Sequence, residues 1–154
     1  MENKYALTLT PAPHETALEL LRECNLLTQV YGLSLTQAQM ENLVQGHDRA
    51  LEETGRVEFG EGIIKKLITA FRTSPFITQE YYEETLFELQ YAFYYFKGEA
   101  NERIGDDELI GYMLSVFNGR AQGSLEYLTQ TALPRLCREL RRGSDLHNAE
   151  AAGR

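Results

Sequence analysis

Along most of this chain apolar residues recur every three or four positions, the period of a helix with one buried face. The first ten residues are the exception. There Tyr5, Leu7 and Leu9 alternate with Ala6, Thr8 and Thr10 before Pro11 and Pro13, which predicts a short edge strand or an extended arm. From His14 a stripe of Ala17, Leu20, Cys24, Leu27 and Tyr31, widened by Leu18 and Leu21, predicts a first helix ended by Gly32. Thr36 followed by Gln39 has the form of a capping box, so a second helix starts there. Its stripe is Met40, Leu43, Val44, His47 and Leu51, and Gly55 is its stop. Arg56 to Phe59 is too short to be read as a strand by itself.

A third helix carries Ile63, Ile64, Leu67, Ile68 and Phe71 opposite Lys65, Lys66 and Arg72, and Pro75 forbids its continuation. The fourth runs from a Thr78 cap to about Lys97, ended by Gly98. It is rich in Tyr and Phe. Tyr82, Leu86, Leu89, Phe93 and Phe96 form its core stripe, and Phe87, Tyr91 and Tyr94 form a second line beside it. The polar edge of Glu80, Glu84 and Glu88 runs on into Tyr91 and Tyr95, which leaves the C-terminal half nearly all aromatic. A fifth helix follows Asp106-Asp107-Glu108, acids that suit a helix N-terminus, and buries Leu109, Ile110, Met113, Val116 and Phe117. Ser124 caps a sixth, whose stripe continues through Leu133, Leu136, Cys137 and Leu140 with a kink or break expected just before Pro134. The resulting class is all-α, about six helices in a bundle-like domain over residues 1–142. The stretch 143–154 has no periodic apolar face and is expected to be a disordered tail.

Length and charge narrow the function classes. A chain of 154 residues is long enough for one ordinary core without metal or disulfide support. A formal charge of -8 opposes a broad nucleic-acid or anionic-membrane surface, and no apolar run reaches the length of a membrane span. No basic, then apolar start marks a secretory signal, so the expected location is the cytoplasm. Cys24 and Cys137 sit among helically spaced leucines and read as packing, with a disulfide between them left open.

Candidate chemistry is sparse. His47 is the most reactive side chain on offer, yet on an apolar stripe its ordinary role is a half-buried ring hydrogen-bonded to a neighbour. His14, His47 and His147 are far apart and no short-spaced cysteine pair exists, so no metal set is expected. The glycines at 55, 60 and 62 lack the Gly-Lys-Ser/Thr ending of a phosphate loop, and Glu58 and Glu61 would repel the ligand. Asp106 to Glu108 read as helix capping rather than as a cation site. Arg135, Arg138, Arg141 and Arg142 complement a helix C-terminus. No cofactor or catalytic residue is predicted.

Three stretches, Glu52-Glu53-Thr54-Gly55-Arg56-Val57-Glu58-Phe59-Gly60, Tyr94-Tyr95-Phe96-Lys97-Gly98 and Gly123-Ser124-Leu125-Glu126-Tyr127-Leu128, resemble a small family of uncharacterised bacterial proteins, chiefly from clostridia and their relatives. The resemblance spans most of residues 15–140. It implies a bacterial cytosolic protein of this length and transfers no activity and no site.

The expected function is therefore that of a non-enzymatic interaction protein, self-associating or binding another protein through Tyr81, Tyr91, Tyr94 and Tyr95, which include directions that a small bundle leaves uncovered. The alternative is a small enzyme or ligand-binding protein. Its pocket would lie between the aromatic helix and the second helix, where His47, a tyrosine hydroxyl and a carboxylate would act together.

Overall fold

The computed structural model describes residues 14–58 and 62–143, so the expected N-terminal strand or arm and the expected tail lie outside the described residues. Among the described residues six helical segments follow one another without a strand. They are α1 (His14–Thr28, continued by a 3-10 turn Gln29–Tyr31), α2 (Gln37–Thr54), α3 (Gly62–Phe71), α4 (Tyr82–Glu99), α5 (Asp106–Asn118) and a final rod in three parts. The rod comprises α6 (Leu125–Tyr127), a π turn (Leu128–Ala132) and α7 (Leu133–Arg141).

Local chemistry explains most of the boundaries. Thr36 and Gln39 form both bonds of the capping box: the Gln39 N–H donates to Thr36 Oγ1 at 3.2 Å, and the Thr36 N–H to Gln39 Oε1 at 2.9 Å. Gly55 closes α2 at φ 67°, a left-handed conformation that costs other residues energy. Ser124 caps α6 through a 3.0 Å bond from the Tyr127 N–H. The expected irregularity before Pro134 is the π turn. Pro134 has no N–H to return to the preceding turn, and the Leu133 N–H reaches back to the Leu128 carbonyl instead.

Three boundaries differ from the sequence reading. Helix α1 tightens after Thr28, whose buried hydroxyl donates to the Leu33 carbonyl at 2.8 Å. The buried line is then Leu18, Leu21, Cys24 and Thr28, while Leu27 and Tyr31 stay exposed. Thr78 does not cap α4: the helix starts after Tyr81, with no side-chain cap. Gly98 does not end α4 either, because the chain leaves the helix after Glu99 and turns through Asn101 and Glu102 at positive φ.

Helix α4 lies at the middle, against α2, α3, α5 and the final rod. Its predicted core stripe of Tyr82, Leu86, Leu89, Phe93 and Phe96 is buried throughout. The stripe joins one cluster containing side chains of all six segments. Both cysteines are buried thiols packed in that cluster. At Gly46 the helices α2 and α4 approach so closely that a Cβ would stand 2.7 Å from the Phe87 ring.

Candidate functional site

The apolar pattern places α4 with its inner face on the core, and a largely buried polar network holds that face in register. Its hub is Glu58, in the short link after the Gly55 stop. One carboxylate oxygen accepts from His47 Nε2 at 2.8 Å and from the Ile63 N–H at 3.3 Å. The other accepts from the Tyr94 hydroxyl at 2.6 Å and from Arg56 Nε at 3.3 Å. Four groups from α2, α3, α4 and the link thus converge on one carboxylate.

The network continues through Arg56, which is stacked on the rings of Phe93 and Tyr94 at 5.6 and 6.0 Å and bonded through Nη2 to Asp106. Asp106 also takes the buried ammonium of Lys97 at 2.9 Å, and Lys97 donates to the Ile104 carbonyl. Asp106 and its neighbour Asp107, paired with Lys66 at 2.9 Å, are therefore not the helix caps expected of them. They occupy the first turn of α5, where the dipole favours acids, but their oxygens are turned to cations of α3, α4 and the link.

Burial pushes the Glu58 carboxyl up, but hydrogen bonds from His47 and Tyr94, the His47 charge and the Ile63 N–H outweigh it and hold the group below its ordinary value. Burial also raises Asp106, and Lys97 and Arg56 reverse that shift. For Tyr94 burial and the adjacent Glu58 charge act in the same direction and push the phenol well up, so it remains a neutral donor. Burial opposes the Arg56 charge, and Asp106 and Glu58 more than restore it.

Among the described residues one ring nitrogen of His47 has no hydrogen-bond partner: Nδ1 is buried, and the Asp48 carboxylate is 3.8 Å away. A cavity of about 40 Å³ adjoins the ring, walled by Leu20, Leu21, Cys24 and Leu51 together with Glu58. That volume suits roughly one to three waters. The acid, the imidazole and, across Glu58, the tyrosine of the alternative reading are thus in one place. The cavity, however, is walled by α1, α2, α3 and the link and not by the aromatic helix. The concavity that does lie between α2 and α4, about 440 Å³ at Asn42, Gly46, Arg49 and Phe87, does not include His47.

The expected tyrosine surface divides. Tyr94 is only 4% exposed and does not belong to it, since its hydroxyl is consumed by Glu58. Tyr81, at 54% exposure, stands at the start of α4 and off the line of the others. Tyr91 and Tyr95 are 61% and 49% exposed and stack at 6.1 Å with an interplanar angle of 12°. Phe87, at 42%, completes a line at i, i+4 and i+8. Beside this line runs an open groove of about 740 Å³ between α4 and the final rod, floored by Ala92, with Glu88 and Glu126 among its walls and Thr129 and Gln130 of the π turn on the far side. It meets a second concavity of about 250 Å³ at Tyr95, Phe96 and Thr129, walled by Glu99, Arg138 and Arg141.

Sequence reading missed Glu58 and Arg56 because the pairings of Glu58 with His47 and Tyr94 and of Arg56 with Asp106 cross 11 to 50 residues of chain. It missed Lys97 because its partners, Asp106 and the Ile104 carbonyl, lie beyond the end of its own helix. No local periodicity reports such a contact. The four-residue spacing of Phe87, Tyr91 and Tyr95 is a local signal, but the sequence reading ended that line in the buried Tyr94 in place of Tyr95.

A family model described as a family of unknown function (DUF6323) matches residues 20–146. No curated protein and no solved structure matches the chain.

Proposed function

Since the chain belongs to the DUF6323 family, whose function is unknown, its role has to be read from its own geometry, and we propose that it is a non-enzymatic interaction protein whose contact surface is the outer face of α4. The observation that carries this reading is the exposed line of Phe87, Tyr91 and Tyr95 along an open groove. Aromatic side chains offer large contact area at small entropic cost, and tyrosines that keep a wet hydroxyl are common anchors of protein interfaces. The buried network supports the same reading by fixing the opposite face of the helix. Ala92, Phe93 and Tyr94 are locked inward while Tyr91 and Tyr95 point out.

The test compares the wild-type chain with the double variant Tyr91→Ser, Tyr95→Ser, each tagged and recovered from cells. Loss of a stoichiometric bound chain, with helicity by circular dichroism unchanged, is the expected result. An identical set of bound chains for both proteins overturns the proposal.

A second reading, ligand binding at His47, is supported by the unpartnered Nδ1 beside its cavity. With Glu58 on Nε2, Nδ1 is the ring position left for a small hydrogen-bonding ligand in the cavity. Methanol is a suitable probe: a saturable shift of the His47 Nδ1 resonance is expected, and a linear, solvent-like response ends this reading.

A further inference from the structure

The outer face of α4 is polarised along its length. At the N-terminal side of the groove stand Glu88 and Glu126, and where the second concavity begins stand Arg138 and Arg141. Arg141 lies against Glu99, bonded to both its carbonyl at 2.9 Å and its carboxylate at 3.3 Å, so the basic end is level with the C-terminus of α4. Glu88 and Glu99 are about 16 Å apart along the helix. The stacked Tyr91 and Tyr95 lie midway between them.

With Glu99 held by Arg141, the C-terminal end keeps one net positive charge against the two negative charges of Glu88 and Glu126. Such a face, aromatic at its centre, is complementary to itself after a half-turn about an axis through the centre. We propose, resting on the interaction reading above, that the occupant of this face is a second copy of the chain, in a two-fold dimer with antiparallel α4 helices. In that arrangement Tyr91 of one copy meets Tyr95 of the other. Glu88 and Glu126 of each copy meet Arg138 and Arg141 of the other, and each contact occurs twice, as an isologous interface requires. Charge complementarity chooses this occupant. The chain carries a net charge of -8, so two copies repel unless their approach is steered by an opposed pair of local charges, and this face supplies that pair. The π turn contributes by setting Thr129 and Gln130 into the groove wall, leaving the space beside Tyr91 and Tyr95 open for the facing rings.

The arrangement predicts a charge exchange that no other occupant would show. The variant E88R/E126R opposes like charges at both ends of the dimer, and so does R138E/R141E. Each alone is expected to weaken self-association about tenfold or more. Mixed in equal amounts, the two restore it: the new arginines of one then face the new glutamates of the other, and the unaltered ends also match. Sedimentation velocity of the full-length chains, separately and mixed, reads this directly. Wild-type dimer, two weakened variants and a restored mixture support the proposal, whereas variants that dimerise like wild type, or a mixture that stays dissociated, overturn it.

Photo-cross-linking separates this failure from that of the underlying reading. With p-benzoylphenylalanine incorporated at position 91, a cross-link between two copies of the chain, mapped near Tyr95, is the expected product. A cross-link to a different protein overturns the second copy but sustains the interaction reading. A cross-link within one chain, or none, overturns both.

Discussion

Glu58 is the residue on which most depends, because its carboxylate is the common partner of His47, Tyr94, Arg56 and the Ile63 N–H. Replacing it with alanine leaves Arg56 its Asp106 partner but takes the acceptor from the buried Tyr94 hydroxyl and from His47 Nε2, and each buried donor left unsatisfied costs about 1–3 kcal/mol. The expected result in urea unfolding is a midpoint lowered accordingly with little change in slope. Tyr94→Phe deletes only the donor to Glu58. It should cost about 1.5–3 kcal/mol, the usual range for a hydrogen bond to a charged group. Tyr91→Phe and Tyr95→Phe, on the exposed side of the same helix, should change stability by less than about 0.5 kcal/mol. If Tyr94→Phe proved as silent as those two, the hub would not be holding α4. His47 belongs to this scale as well: its stripe was legible, but its partner was not, since Glu58 reaches it by a turn of the link that no repeat pattern encodes.

At the scale of elements, glycines tell which helices have room. Gly111 lies inside α5, exposed and with nothing within 4 Å of the position a Cβ would take. Gly111→Ala should therefore stabilise the protein by about 0.5–1 kcal/mol, the difference in helix propensity. Gly123 is the opposite case. It stands at φ +83° with a would-be Cβ 2.6 Å from Phe76, so Gly123→Ala should destabilise by more than about 1 kcal/mol and loosen the entry to the final rod. Thermal unfolding of the two variants should move in opposite directions. The capping box of α2, the Gly55 stop and the Ser124 cap were readable because each is written within four residues. The true start of α4 was not: Thr78 is a good cap by type, yet the chain from Ser74 to Tyr81 is taken up by turns, including the Ser74 hydroxyl bonded to Asn118 at 2.5 Å across 44 residues.

At the scale of the whole molecule, the buried acids tie stability to pH. The folded-state pKa values of Glu58 and Asp106 lie below their ordinary values, so the unfolded chain binds protons more readily. Their contribution is full above the unfolded carboxylate range of about 4 and is lost as the pH falls through their lowered folded values. Glu58→Gln should flatten the acid limb of a plot of unfolding midpoint against pH; an unchanged limb would show that the acid sensitivity comes from elsewhere. The thiols give a second global probe. Burial, the largest cause, pushes the Cys137 thiol up to about 11 against an opposing Arg141 charge. Alkylation of Cys137 near neutral pH should then require opening of the fold, and its rate should rise with urea in parallel with unfolding.

What the sequence determined by itself was the set of helices and the inner stripe of α4, because a period of 3.6 residues and a cap within one turn are local facts. It also drew one line through Phe87, Tyr91 and Tyr94 and ran a polar edge on into Tyr91 and Tyr95. Only the tertiary structure decided which tyrosine turns inward: Tyr94 is drawn to a carboxylate 36 residues earlier, leaving Tyr91 and Tyr95 outside. It likewise decided that Asp106 serves Arg56 and Lys97 instead of capping its own helix. Charges buried in a small bundle must find partners wherever the packing brings them, and that choice is made between helices, beyond the reach of any pattern along one of them.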